Sequence, residues 1–129
     1  MKSEERQGIA VLLRTREILI RQRTQTINAL RGHLAEFGVI VAKGASNIAK
    51  LMERIADPET SLPEVARAAL GYLTDSLLRL EDQVRELDRE IASRTKANET
   101  ARRLMTIPGI GPLIAVAIVA LAPPPETFR

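Results

Sequence analysis

Apolar residues along the first part of the chain recur at steps of three and four. Ile9, Leu13, Ile20, Ile27, Leu30, Leu34 and Phe37 fall on one stripe, with Leu12 and Leu19 beside it. A 3.6-residue repeat turns such spacing into one face of a helix, so a helix is predicted over about 3–37. Arg16 and Arg23 occupy two positions of that stripe. Gly38 follows its last apolar residue and is placed to end the helix, because glycine tolerates the left-handed conformation of a C-terminal cap. Between 46 and 56, Ile48, Leu51, Met52 and Ile55 repeat the pattern at i, i+3, i+4 and i+7. A short amphipathic helix is predicted there, stopped by Asp57-Pro58, since the residue before proline avoids helical dihedral angles.

The third segment, predicted over about 62–95, carries the strongest pattern. Ser61 stands three residues before Glu64, as in a capping box, with Pro63 between them where a helix start tolerates it. From there Ala66, Leu70, Leu73, Leu77, Leu80, Val84, Leu87 and Ile91 alternate four- and three-residue steps, and charged residues fill the positions between. This is the heptad signature of a coiled coil. A helix packed inside a globular domain is the plainer alternative. Either way a leucine seam does not stay in water, so a partner must cover it: the first segment folding back, or a second copy of the chain.

From about Asn98 to Ala122 the pattern is helix, Pro-Gly turn, helix, followed by Pro123-Pro124-Pro125. The chain then stops without a cap or closing helix, which points to truncation. The expected fold is all-α, a long antiparallel helical coiled coil followed by a helix-hairpin-helix. Residues 1–97 form the coiled-coil region and 98–129 the beginning of a second, incomplete domain. Residues 110–122 are expected to be loosely held without further chain to cover their apolar face.

Composition narrows the chemistry. Aromatics are 2% of the 129 residues (Phe37, Tyr72 and Phe128), so a core must be built from aliphatic side chains, which suits helices packed along seams. There are no cysteines, which excludes disulfides, thiolate metal sites and cysteine nucleophiles. His33 is the only histidine and reads as structural; no Walker loop, dinucleotide fingerprint or metal-ligand cluster is present. The charged N-terminus lacks a signal-peptide core, and the longest apolar run, Leu113–Ala122, is shorter than the roughly 18 residues of a membrane span. A cytoplasmic protein is therefore expected, with no membrane partner. A net charge of +3 and a pI near 9.8 are compatible with a nucleic-acid partner without requiring one.

Residues 104–119 read LMTIPGIGPLIAVAIV, a pattern that matches the helix-hairpin-helix of many DNA repair and recombination proteins. Gly109 and Gly111 allow a sharp turn and leave backbone N–H groups unshielded. Together with the N-terminus of a helix beginning near Pro112, they form a cradle for an anion such as a DNA phosphate. The candidate contacts are Gly109, Ile110, Gly111 and Leu113, with Arg102 and Arg103 near enough to reach neighbouring phosphates. Ile110 is expected to point inward as an anchor, and Ala115 to let the second helix approach the first. The alternative is a helical corner whose Pro-Gly-Ile-Gly turn serves structure alone. Arg14, Arg16, Arg21, Arg23 and Arg31 face only Glu17 in their stretch. Arg16, Arg21 and Arg23 are weaker candidates for backbone contact; the competing reading pairs such arginines with carboxylates of the third segment.

Residues 14–38 (RTREILIRQRTQTINALRGHLAEFG) and 102–112 (RRLMTIPGIGP) closely resemble the central region of DEDD-type insertion-sequence transposases, the bridge-RNA-guided recombinase family. The resemblance covers essentially the whole chain. It implies a RuvC-like domain with four acidic Mg2+ ligands before this region and a serine-bearing transposase domain continuing after it. Both sets of catalytic residues would lie outside these 129 residues, so no catalytic or metal residue is carried over and no cofactor is expected in this chain. The implied partners are DNA, a guide RNA and further copies of the chain through the coiled coil. A non-enzymatic coiled-coil interaction protein is the alternative from another class.

Overall fold

The computed structural model describes residues 3–44 and 47–121. The proline run at 123–125 and Phe128 lie outside the described residues. Among the described residues all regular structure is helical: α1 (Ser3–Glu36), α2 (Ile48–Ala56), α3 (Glu64–Ala97), α4 (Glu99–Leu104) and α5 (Pro112–Leu121). The chain divides into two units, one formed by Ile20–Asp82 and the other by Met1–Leu19 together with Gln83–Arg129. Both boundaries fall inside long helices, so α1 and α3 each contribute a stretch to both units.

In the Ile20–Asp82 unit, the end of α1 is a Schellman motif. Gly38 takes a φ of +78°, its N–H donates to the Ala35 carbonyl at 3.0 Å, and the Val39 N–H reaches the Leu34 carbonyl at 2.9 Å. The left-handed step would cost an L-residue roughly 1–2 kcal/mol, which glycine escapes. Leu34 and Val39 are both buried and supply the apolar contact that accompanies this motif. Phe37, the last residue of the sequence stripe, is 39% exposed instead, because the helix has ended at Glu36 and the stripe no longer determines direction.

α2 buries Leu51 and Ile55, and Asp57 leaves the helix in an extended conformation ahead of Pro58. Arg67 then fastens the loop between α2 and α3: one terminal amino group donates to the Ile55 carbonyl and the other to the Thr60 carbonyl at 2.7 Å. α3 begins at Glu64, and the Pro63 carbonyl accepts the bond from the Arg67 N–H. Proline thus sits at the cap, where its missing donor is not required. The core of this unit gathers Leu30, Leu34, Val39, Leu51, Ile55, Leu70 and Leu77. Arg23 of α1 lies beside Glu81 of α3, at 3.6 Å, whereas His33 and Phe37 share a groove with Ala66, Leu70 and Leu73. Later residues of α1 therefore meet earlier residues of α3, and the two stretches run in opposite directions within the unit.

In the other unit, Ile9 and Leu13 of α1 pack with Ile91 of α3 and with Val116 and Ala120 of α5. Arg16 Nε donates to Asp88 Oδ1 at 2.7 Å. Here too the start of α1 lies against the end of α3, with Gly8, Ile9 and Leu12 lining a groove with Glu90 and Arg94. In both units, then, the α3 seam is covered by the first segment of the same chain, one of the two partners the sequence allowed. Seam residues Leu70, Leu77, Leu80, Val84 and Ile91 are all buried.

Candidate nucleic-acid interface

The segment after α3 is set by three short-range devices. Asn98 caps α4 by accepting the Ala101 N–H on its side-chain oxygen at 2.8 Å, which satisfies one of the orphan donors of a helix start. Thr95, fully buried near the end of α3, places its Oγ1 2.7 Å from the Ile91 carbonyl and 3.2 Å from the Pro112 carbonyl. It thereby ties the beginning of α5 to the end of α3. Ala101 is buried as well, and the absence of a larger side chain there allows close approach.

Between α4 and α5 the backbone makes a type II turn. The Ile110 N–H donates to the Ile107 carbonyl at 3.1 Å; Pro108 occupies the first central position and Gly109, with φ at +87°, the second. Proline fixes the first torsion and glycine supplies the positive φ of the second, the combination this turn requires. Gly111 follows as the cap of α5, its carbonyl accepting the Ala115 N–H at 2.9 Å. Pro112 opens the helix at a position where no N–H is needed.

The two glycines therefore differ. Only Gly109 needs a left-handed backbone. Gly111 does not, and a Cβ built on it meets nothing within 4 Å. Among the described residues, the N–H groups of Gly109, Gly111, Leu113 and Ile114 have no backbone or side-chain acceptor. They sit at the turn and in the first turn of α5, where the helix dipole adds partial positive charge. Gly109, Leu113 and Ile114 are exposed, and Ile110 is half-buried. The Ile110 N–H itself is used by the turn and is not available to a ligand.

α5 buries Ala115, Val116 and Ala120. The larger Leu113, Ile114 and Ile118 point outward, with Met105 and Ile107 exposed nearby in the chain. Arg102 and Arg103 are exposed on α4; Arg103 pairs with Glu99 at 2.9 Å. The weaker candidates divide. Arg16 is engaged by Asp88 and Arg23 by Glu81, so for these two the pairing with third-segment carboxylates is what the fold contains. Arg21 is exposed. Thr95 and Asn98 were not singled out in the sequence; asparagine directly before Glu99 at a helix start was the available signal for the latter.

Among the described residues no three His, Asp or Glu side chains come together. No helix among them is long and apolar enough to cross a membrane.

The chain is similar along its length to proteins named as transposases. A Sinorhizobium fredii protein named as transposase y4pF/y4sB is 40% identical over 130 positions, covering 100% of this chain and 33% of that protein. A Pseudomonas aeruginosa protein named as a family 20 transposase is 34% identical, covering 100% of this chain and 39% of its own length. The transposase for insertion sequence element IS1111A of Coxiella burnetii is 32% identical over 92% of this chain and 33% of that protein. The chain thus spans between a third and two-fifths of these relatives' length. No protein-family model matches it, and no solved structure does.

Proposed function

We propose that this chain is a region of an insertion-sequence transposase and that its α4–turn–α5 hairpin holds a DNA phosphate. The observation that carries the reading is the row of N–H groups without acceptors at Gly109, Gly111, Leu113 and Ile114, at the start of a ten-residue helix. Backbone amides of this kind bind phosphate without reading bases. Arg102 and Arg103 add positive charge within two turns of the hairpin. The site positions a duplex and leaves strand chemistry to residues elsewhere, so the chain alone is expected to cleave no DNA.

Similarity to named transposases supports the general reading. The resemblance to the DEDD type extends it to a cytoplasmic recombinase that uses Mg2+ and a guide RNA in parts of the polypeptide beyond this region. Self-association belongs to the same proposal. Because the α3 seam is already covered by α1, a second copy would use other surface, such as the exposed Val65 and Tyr72, seven residues apart on α3.

One observation favours a second reading. Exposed Ile107, Leu113, Ile114 and Ile118 in the hairpin segment equally suit a protein partner and a purely structural turn. Binding of labelled duplex DNA across a salt series separates the two. The hairpin reading expects affinity that falls with salt at a slope of about 0.9 per phosphate contacted, and loss of that binding in the Gly109→Ala plus Gly111→Ala double variant. Undiminished binding by the double variant selects the interaction protein.

A further inference from the structure

We infer that a second phosphate-binding site lies in the Ile20–Asp82 unit, in the cleft between α1 and the loop leading to α2, and that it takes a single nucleic-acid strand. The cleft has a volume of about 290 Å³, at the small end of ligand pockets and suited to one nucleotide unit, not to a duplex. Arg23, Arg31 and Lys43 line it, and among the described residues no carboxylate does. Glu81 sits against Arg23 and tempers that one cation.

The cleft is held in shape. Arg31 donates from Nε to the Val41 carbonyl at 3.2 Å, which fixes its guanidinium against the loop. Among the described residues its terminal amino groups and the Lys43 ammonium have no acidic partner. Asn47 pins the loop from the far side, its Nδ2 donating to the Lys43 carbonyl and its N–H to the Gly44 carbonyl, both at 3.0 Å. The floor is apolar, with Ile27 and Ile48 beside the polar rim. A preorganised guanidinium, a nearby ammonium and an apolar floor match a phosphodiester with its sugar or base laid against aliphatic carbon. The cationic chemistry stands without the hairpin; the choice of nucleic acid among phosphate-bearing ligands rests on the transposase reading above.

Lys43→Glu tests the site, with Lys50→Glu as its charge-matched control. Lys50 is exposed on α2 of the same unit and does not line the cleft. Both are made in the full chain, with and without Gly111→Ala, and folding is checked by circular dichroism. The probe is a fluorescein-labelled oligo-dT, followed by anisotropy over a salt series, with inorganic phosphate and dTMP as competitors. Lys43→Glu is expected to weaken oligo-dT binding about tenfold and to lower the salt slope by roughly 0.7, with Lys50→Glu close to wild type. This pattern should persist in the Gly111→Ala background, where the hairpin contact is already impaired. Equal effects of the two lysine variants, or none from Lys43→Glu, would overturn the site while leaving the hairpin untouched. If dTMP or phosphate binds as tightly as oligo-dT, the cleft is a small-anion site and the strand assignment fails.

Discussion

Leu77→Ala is expected to lower the stability of the Ile20–Asp82 unit by about 2–5 kcal/mol, a large share of the 5–15 kcal/mol available to ordinary domains. Leu77 is fully buried within α3 and packs in the cluster with Leu30, Leu34, Leu51, Ile55 and Leu70. Truncation removes three carbons from a site whose walls belong to three different helices and do not collapse together. Alanine is the better helix former, but by only a few tenths of a kcal/mol, so packing decides the sign. Its neighbour makes the control. Leu78 is 50% exposed, and Leu78→Ala is expected to change stability by no more than about 0.5 kcal/mol. Urea denaturation followed by far-ultraviolet circular dichroism measures both. Equal costs at 77 and 78 would mean that the heptad face of α3 is not the buried one.

The second large effect is on binding. Gly111→Ala is expected to leave the helices in place yet reduce duplex affinity about tenfold, roughly the discrimination of one good phosphate contact. The residue needs no left-handed backbone and has open space around its Cβ position, so the free chain accommodates a methyl group. The cost to α5 is that of a poorer N-cap, on the order of 1 kcal/mol. A phosphate approaching the amides of Gly111 and Leu113 meets that methyl group directly. Gly109→Ala differs in kind, because at φ +87° it strains the turn by roughly 1–2 kcal/mol and shifts the amides themselves. A folded Gly111→Ala variant with wild-type affinity and an unchanged salt slope is the result the phosphate cradle does not survive.

Much of this architecture was legible in the residue order, for reasons that differ by element. α1 and α3 declare themselves because their polar and apolar positions alternate with helical period, and Gly38 and Asp57-Pro58 carry local backbone chemistry that ends a helix in any context. The Pro108-Gly109 corner is equally local. What covers the α3 seam was not legible, since periodicity identifies a face that needs a mate without naming it. Heptad spacing put Arg16 and Arg23 on one face, but their engagement by Asp88 and Glu81 depends on how two distant segments align. α5 resisted for the opposite reason. It is apolar all round, so nothing in its pattern distinguished the buried Ala115, Val116 and Ala120 from the exposed Leu113, Ile114 and Ile118. The cleft around Arg31 and Lys43 was hidden too, because only the reversal at Gly38 brings that loop back to α1.

The two units also differ in how much chain must exist before they can close. Ile20–Asp82 is one continuous stretch, complete once its last residue has left the ribosome. The other unit joins Met1–Leu19 to Gln83–Arg129. Ile9 and Leu13 stay without Ile91 and Val116 for about 2–7 s of further translation at 5–20 residues per second. Stalled nascent chains that expose Asp82 but not Val116 outside the ribosome should therefore resist protease within 20–82 while being clipped within 3–19. Early protection of residues 3–19 would instead require a temporary shelter for those two side chains during synthesis.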